Sequence, residues 1–164
     1  MIRNEDATDI PEIRALVTGA FKDVPHSMGT EAAIVDALRD GSALTISLVA
    51  EREGEVVGHV AFSRVKIDGE AVDWYGLGPI AVRPDSQGCG IGVALIEAGL
   101  ERIKALNARG CVVLGDPAYY SRFGFKSDPA LRFADVPPEH FQRLDFGDEE
   151  RRGVVEYHSA FFAT

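Results

Sequence analysis

The segment from Leu77 to Gly92 constrains the fold of this chain more than any other. A short apolar run ends before Pro84, Gln87 follows, and an amphipathic helix then opens with three alternating glycines, Gly88, Gly90 and Gly92. Glycines leave the backbone bare where the first N–H groups of a helix have no partner inside the helix. Because bare amides and the helix dipole both attract negative charge, the segment predicts a site for a phosphate-bearing ligand.

Length, charge and cysteine content limit the class of protein. A chain of 164 residues with 46% hydrophobic residues predicts one domain spanning residues 1–164. The formal net charge of -9 argues against nucleic acid or an anionic membrane as partner and is compatible with a cationic amine. Cys89 and Cys111 have no neighbours at metal-ligand spacing, which predicts no metal site. A charged N-terminus and the lack of a long apolar run predict a cytoplasmic location with reduced thiols.

The first forty residues predict two helices behind a short strand. The strand lies at Ile2-Arg3, and in the helix that follows Asp9 and Glu12 are spaced as a capping box. The apolar residues of this helix recur at helical spacing and predict one buried face: Ile10, Ile13, Leu16, Val17, Ala20 and Phe21. The second helix is shorter and presents the apolar side chains of Ile34, Val35 and Leu38.

The middle of the chain predicts three antiparallel strands, over residues 44–51, 56–65 and 71–82. The strands are separated by Glu53-Gly54 and by Asp68-Gly69, which are hairpin-type turns. Three strands joined by two tight turns are the start of an antiparallel sheet.

The second half of the chain predicts a crossover. A helix over about residues 90–106 separates the strand that ends at Val82 from a short apolar run over residues 111–114, so residues 77–82 and 111–114 are expected to lie parallel. Three further elements are expected: a short helix from Asp116-Pro117 to Phe123 ended by Gly124, one turn at Pro137-Pro138, and a last strand over residues 153–162. Together the elements predict an α+β domain with a central mixed sheet.

Three templates for phosphate binding can be tested against the glycine segment. A dinucleotide fingerprint needs a sixth-position glycine, which is Val93 when counted from Gly88 and Leu95 when counted from Gly90. A Walker loop needs Gly-Lys-Ser/Thr, which the sequence lacks. The pattern Gln/Arg-x-x-Gly-x-Gly/Ala is met by Gln87, Gly90 and Gly92.

With these residues the segment resembles the acetyl-CoA pyrophosphate loop of the GCN5-related N-acetyltransferase (GNAT) family. Residues 78–82 are similar to the family's fourth strand, and residues 119–125 resemble its aromatic-Tyr-x-x-x-Gly-Phe helix. The resemblance covers about residues 1–126. It implies a GNAT-type acyl-CoA N-acyltransferase fold, in which a central mixed, mostly antiparallel sheet is flanked by helices.

The resemblance also implies roles for particular residues, with acetyl-CoA or coenzyme A as co-substrate and no metal. The pyrophosphate would lie on the backbone amides of Gln87, Gly88, Cys89, Gly90, Ile91 and Gly92. Backbone groups of Ile80, Ala81 and Val82 would pair with the pantetheine arm, and an amide near Ile80 or Val82 would stabilise the oxyanion. Tyr120 would donate a proton to the leaving thiolate. Arg122 and Phe123 are assigned to cofactor binding, with an exposed arginine and a core aromatic as the alternatives.

Two places in the sequence, Val113 and Asp116-Pro117, depart from the family pattern. Val113 stands where members of the family often carry an asparagine that bonds the pantetheine arm, and Asp116-Pro117 alters the entry to the next helix. Cys89 occupies a variable loop position and has no activating neighbour in the sequence.

The sequence leaves the general base and the acceptor open. The candidates for the base are His26, Glu31, His59, Asp73 and Asp116, and a chain of water molecules is the alternative. The acceptor is expected to be a small-molecule or peptide amine. The rival functions are a non-catalytic acyl-CoA sensor on the same fold and a nucleotide-binding module of another class. The tail over residues 133–164 is expected to shape the acceptor pocket or a homodimer contact, with a solvated turn as the alternative for its acids Asp145, Asp148, Glu149 and Glu150.

Overall fold

The computed structural model describes residues 1–25, 27–148 and 150–164, so the predictions for His26 and Glu149 lie outside the described residues. Four helices are found in the described part of the chain: α1 (Ile10–Phe21), α2 (Glu31–Asp40), α3 (Ile91–Ala105) and α4 (Pro117–Tyr120). The same part contains nine strands: β1 (Ile2–Asn4), β2 (Ile46–Arg52), β3 (Glu55–Ile67), β4 (Glu70–Val82), β5 (Gly110–Leu114), β6 (Lys126–Ser127), β7 (Leu131–Arg132), β8 (Phe141–Asp145) and β9 (Gly153–Glu156).

The strands form a sheet in the order β1-β2-β3-β4-β5-β8-β6, and β9 pairs with both β3 and β7. Among the described strands, β4 with β5 and β7 with β9 run parallel, and the other pairs are antiparallel. The prediction of an α+β fold with a mixed, mostly antiparallel sheet is therefore confirmed.

Both predicted hairpin turns are present. Glu53 and Gly54 have φ of 53° and 79°, and Asp68 and Gly69 have φ of 51° and 79°. Two successive left-handed residues are the geometry of a type I′ turn, whose twist matches that of the strands it joins. The turns thereby set the pairing of β2, β3 and β4 next to each turn, and the register shifts further along both pairs of strands.

The helices cover both faces of the sheet. The helix α3 packs on one face, where a Cβ at Gly99 would lie 2.1 Å from Cε1 of Phe62, so only glycine allows this approach. The helices α1 and α2 pack on the other face around Val17, Val35 and Val49. Val93 of α3 is only partly buried. In the described part of the chain no helix is both long and apolar enough to cross a membrane.

The strands β4 and β5 pair over a shorter and earlier stretch than expected. Their parallel ladder runs from Trp74 opposite Gly110 to Leu77 opposite Val113. Beyond Leu77, β4 keeps its pairing with β3 through Val82 opposite Gly58. The parallel orientation is confirmed, but the prediction that residues 77–82 lie along β5 is wrong because the two strands separate after Leu77. One edge of β4 is therefore left without a neighbouring strand.

Three local predictions are corrected. Asp6 and Asp9 form the capping box, around a 3-10 turn that precedes α1, because the Asp9 carboxylate accepts from the Asp6 backbone and not from within α1. The last strand ends at Glu156, and a 3-10 turn over Ser159–Phe162 follows it. The strand β8 was not predicted, although it pairs with β5 along its whole length.

The helix α4 and the 3-10 turn at Pro138 are both found where the sequence predicts them. Asp116 caps α4 by accepting a hydrogen bond from Ala118 N at 2.9 Å. A 3-10 turn continues α4 to Phe123, and Gly124 ends it with φ of 97°. A single 3-10 turn begins at Pro138, as the proline pair predicts.

Candidate functional site

A cleft of about 430 Å³ lies where β4, α3 and α4 meet, and we call it the glycine cleft. Its lining combines the end of β4, the glycine segment and one face of α4: Ile80, Val82, Ser86, Gln87, Gly88, Gly90, Ile91, Gly92, Val93, Tyr119 and Arg122. Eight of the residues assigned to cofactor binding from the sequence therefore surround one space: Ile80, Val82, Gln87, Gly88, Gly90, Ile91, Gly92 and Arg122.

The glycine segment leaves its backbone exposed toward open space. Gly88 and Gly90 have φ of 79° and 82°, and no atom lies within 4 Å of where a Cβ on either would be. Gly90 is the N-cap of α3, so the amides of the first turn that follow it have no acceptor inside the helix. The segment has the geometry and the partial charge to hold an anion.

Side chains hold this segment against the sheet. Gln87 donates from Nε2 to the carbonyl of Val82 at 3.1 Å. Ser86 is fully buried, and its hydroxyl accepts from Arg52 at 2.8 Å. These bonds tie the start of the glycine segment to β4 and to Arg52 at the end of β2.

The end of β4 divides its side chains between the cleft and the core. Ile80 and Val82 line the glycine cleft, whereas Ala81 is buried and packs against the face that α1 and α2 cover. Ala81 can therefore contribute only its backbone, which lies on the strand edge left open beyond Leu77.

The neighbouring residues Tyr119 and Tyr120 have different surroundings. Tyr119 lines the glycine cleft, where its hydroxyl would lie 3.2 Å from a Cβ on Gly92. Tyr120 is buried, and its Cε2 would lie 2.5 Å from a Cβ on Gly115. The two rings meet edge to face with centroids 5.0 Å apart.

Besides Ala81, three residues assigned from the sequence do not line the glycine cleft. Tyr120 packs edge to face on Tyr119, which does line it. Cys89 is exposed, with its Sγ 3.8 Å from the Gln87 carbonyl. Phe123 packs on Tyr119 at a centroid distance of 5.8 Å and faces a wider groove that also contains Phe146.

Arg122 does lie at the wall of the glycine cleft. Its guanidinium carbon stands 4.4 Å from the centroid of the Tyr119 ring, and its Nε donates to the Tyr119 carbonyl at 2.9 Å. A cation held over this ring can face a phosphate in the cleft.

Burial raises the pKa of Tyr120 to about 12, and the neighbouring Tyr119 and Cys111 add to this effect. The phenol therefore keeps its proton at neutral pH. An ordinary thiol has a pKa of about 8.5, so proton transfer from Tyr120 to a thiolate is less balanced than for an unperturbed phenol. The hydroxyl is better suited to hydrogen-bond a developing thiolate than to give up its proton early in the reaction.

A second cleft, of about 700 Å³, lies between the α1–α2 connection and the end of β5, and we call it the carboxylate cleft. Its lining residues are Phe21, Val24, Ser27, Glu31, Leu114, Gly115, Asp116 and His140. Gly115 thus belongs to the wall of this cleft and also packs closely on the ring of Tyr120.

The structure separates the candidates for the general base. Glu31 and Asp116 line the carboxylate cleft. Asp73 is exposed and bonds Arg64 at 3.1 Å, and it lies outside both clefts. His59 is fully buried inside the sheet, and burial lowers its pKa to about 4. Geometry therefore favours Glu31 and Asp116 over His59 and Asp73.

His59 belongs to a buried polar chain. Arg39 donates two hydrogen bonds to the Glu5 carboxylate, which also accepts from the Ser47 hydroxyl. Because Ser47 donates to Glu5, its oxygen accepts from Nε2 of His59 at 2.8 Å. The proton of His59 then lies on Nε2, and Nδ1 is a buried acceptor with no partner among the described residues.

Sequence reasoning missed Tyr157. Its ring packs against β4, where Cε1 would lie 2.6 Å from a Cβ on Gly76. Burial raises the pKa of Tyr157 above its usual value, and Cys111 and Tyr120 lie near enough to add to the shift. The residue comes from the chain after β9, where the only sequence signal is a series of aromatic residues.

The structure also places Val113 and the tail residues that the sequence analysis singled out. Val113 is buried in the core on the α3 face and can offer no side-chain hydrogen bond to a ligand. From the tail, His140 reaches the carboxylate cleft, whereas Asp145 bonds the buried Arg143 at 3.0 Å and lies outside that cleft. Among the described residues, no group of three or more His, Cys, Asp or Glu side chains could hold a metal ion.

Comparisons with known proteins agree with this geometry. Residues 44–127 match the family model described as an acetyltransferase (GNAT) domain. The chain is 38% identical to the uncharacterized N-acetyltransferase YhbS of Escherichia coli K12 over 98% of both chains. A crystal structure of YhbS in complex with CoA has a TM-score of 0.90 at 37% identity, covering 99% of this chain and 91% of that one. A GNAT family acetyltransferase from Brucella melitensis, solved in complex with acetyl-CoA, has a TM-score of 0.89 at 49% identity, covering 98% and 97% of the two chains.

Proposed function

Because this chain belongs to the GNAT family of acetyl-CoA-dependent N-acetyltransferases, we propose that it transfers the acetyl group of acetyl-CoA directly to the nitrogen of a primary amine. One observation carries the proposal. Tyr119 lines the glycine cleft with its bare helix amides, and the adjacent Tyr120 packs against Gly115, which lines the carboxylate cleft. A donor and an acceptor could therefore meet at this pair without an intermediate carrier.

The glycine cleft suits coenzyme A. In this proposal the amides from Gln87 to Gly92 hold the pyrophosphate, and Arg122 adds a positive charge at the wall. The free edge of β4 at Ile80, Ala81 and Val82 hydrogen-bonds the amide groups of the pantetheine arm as a neighbouring strand would. The relatives from Brucella melitensis and Escherichia coli, solved with acetyl-CoA and with CoA, support this assignment.

Acetyl-CoA supplies an acyl thioester, which a neutral amine can attack. In the proposed reaction a backbone N–H near Ile80 or Val82 polarises the thioester carbonyl. Glu31 or Asp116 receives the proton of the incoming ammonium, directly or through water. Tyr120 donates a hydrogen bond, and finally its proton, to the sulfur that leaves, and the second proton that the nitrogen loses as the amide forms restores the phenol, directly or through water.

We assign the whole chain to one acetyltransferase domain, which is supported by relatives that match 98% of its length. The cytoplasmic location and the homodimer stay predictions, as does the choice between a small-molecule and a peptide amine.

The proposal is tested by ligand binding and turnover in the same preparation. Acetyl-CoA and CoA are expected to raise the melting temperature, whereas NAD and ATP are not. Release of CoA is then followed with a panel of amine classes, and mass spectrometry identifies the acetylated product. Absence of a shift with CoA contradicts the glycine cleft as the donor site. Binding of CoA without acetylation of any amine favours a non-catalytic acyl-CoA sensor.

A further inference from the structure

The carboxylate cleft combines apolar walls with negative charge. Val24 and Leu114 line it while remaining 40% and 47% exposed, and Met28, on the same connection as Val24, is 87% exposed. Large apolar side chains on a surface are stabilised when a ligand covers them. This apolar surface lies around the cleft that reaches Tyr120 through Gly115.

The two carboxylates in the cleft are only partly satisfied. Glu31 accepts at Oε1 from Ser27 at 2.6 Å, and Asp116 accepts at Oδ1 from the amide of Ala118 at 2.9 Å. Among the described residues, none donates to Oε2 of Glu31 or to Oδ2 of Asp116, and neither residue forms an ion pair. No lysine or arginine is among the described residues that line the cleft. The described lining therefore offers two carboxylate acceptors to a cation, and His140 is the basic side chain among its described residues.

From this arrangement we infer that the acceptor is a small primary amine whose ammonium is attached to an apolar alkyl or aryl body. The inference rests on the proposed function. The ammonium lies near Tyr120, between Glu31 and Asp116, and the apolar body covers Val24 and Leu114. A volume of about 700 Å³ fits a small molecule and not a folded partner. A second charge on the amine would lie against the apolar wall and lose its hydration, so polyamines and amino acids are disfavoured.

A series of n-alkylamines from ethylamine to hexylamine tests the inference by steady-state kinetics with saturating acetyl-CoA. Burial of one methylene contributes about 0.8 kcal/mol, so KM is expected to fall about threefold to fourfold for each carbon that enters the cleft. Spermidine and β-alanine are the charged comparison substrates, and their kcat/KM is expected to lie well below that of hexylamine.

Two variants separate the apolar and the charged parts of the site. Leu114→Ser is expected to flatten the dependence of KM on chain length, whereas Leu106→Ser, which alters a leucine of similar exposure (48%) outside the cleft, is expected to keep it. Glu31→Gln is expected to raise KM about tenfold for every alkylamine without changing the slope. Glu70→Gln, at the exposed start of β4, is its matched control.

The outcomes distinguish this inference from the proposed function. A flat chain-length series, or a preference for spermidine or β-alanine, overturns the inference while acetyl transfer itself stands. An unchanged slope in Leu114→Ser overturns it as well. If CoA binds and no amine of any class is acetylated, the proposed function fails and the inference fails with it.

Discussion

The rings of Tyr119 and Tyr120 meet edge to face with centroids 5.0 Å apart. Tyr119 lines the glycine cleft, and Tyr120 lies against Gly115, which lines the carboxylate cleft. Adjacent residues on one short helix therefore connect the walls of the two clefts. The capping of α4 by Asp116 sets the position of this pair.

Tyr120→Phe tests the proton donor. The ring and its packing remain, so we expect kcat to fall about 100-fold, at the lower limit typical of general acid catalysis, while the affinity for CoA changes less than about threefold. Turnover is measured by CoA release, and affinity by calorimetry.

Tyr75→Phe is the matched control for this variant. It removes the hydroxyl of another buried tyrosine, whose ring lies under Arg64 and outside both clefts. We expect its kcat to equal that of the parent. Equal activity in Tyr120→Phe would contradict the assignment of Tyr120 and favour a sensor.

The pKa of Tyr120 also predicts the pH dependence of turnover. A value of about 12 means that the phenol stays protonated up to about pH 10, so it cannot cause a loss of activity below that pH. The value of kcat/KM is expected to rise with pH as the ammonium of the acceptor loses its proton. A decline between pH 8 and pH 9.5 that disappears in Tyr120→Phe would show that the phenol titrates far below this value.

Gly90→Ala tests the anion site against a conformational control. Alanine at φ of 82° is expected to lower the free energy of unfolding by about 1–2 kcal/mol, although the space around the new methyl group is open. Gly69→Ala imposes the same strain at φ of 79° in the β3–β4 turn, at the end of β3 opposite to the glycine cleft. We expect similar losses of stability in the two variants, measured by chemical denaturation.

Of the two variants, only Gly90→Ala is expected to weaken the binding of acetyl-CoA. The methyl group of Gly90→Ala enters the space above the helix amides, so KM for acetyl-CoA should rise about tenfold or more, whereas Gly69→Ala should leave it unchanged. Equal KM values in the two variants would remove the pyrophosphate from this loop.

His59 predicts a loss of stability in acid. Its pKa is about 4 in the folded protein and about 6.5 when unfolded, so between these values the unfolded chain binds the extra proton. Stability from this group is therefore complete above pH 6.5 and falls as the pH decreases to 4, by about 3 kcal/mol in total. The measurement is the free energy of unfolding as a function of pH.

His59→Gln keeps a donor toward Ser47 and removes the titration. We expect a smaller pH dependence between 6.5 and 4 in this variant, even if its stability at pH 7 is lower. His140→Gln removes an exposed imidazole and should follow the parent. An unchanged acid slope in His59→Gln would show that other groups cause the loss.

Much of the donor side of the site was predictable because its signals are local. A left-handed glycine, a helix N-terminus and a type I′ turn each depend on a few neighbouring residues. The sequence patterns in residues 53–69 and 87–92 therefore predict the local backbone conformation. The same holds for α4, where Asp116, Pro117 and Gly124 mark both ends.

The acceptor side was less predictable because its parts are distant in sequence. Glu31 begins α2, Asp116 follows β5, and His140 precedes β8, and no pattern within any of these segments indicates that they share a cleft. The short strand β8 was also missed because its residues give no clear alternation, and its pairing with β5 decides its conformation. Tyr157 likewise reaches Gly76 only through the packing of the tail.

By itself, the sequence determined the family, the hairpins and the glycine loop at the start of α3, because each depends on short-range geometry that a few residues specify. Only the tertiary structure decided where β4 and β5 part, after Leu77 and Val113, and which carboxylates share a cleft with Gly115. Strand separation and cleft formation result from packing between segments far apart in the chain. Their energies come from long-range contacts that no local pattern contains.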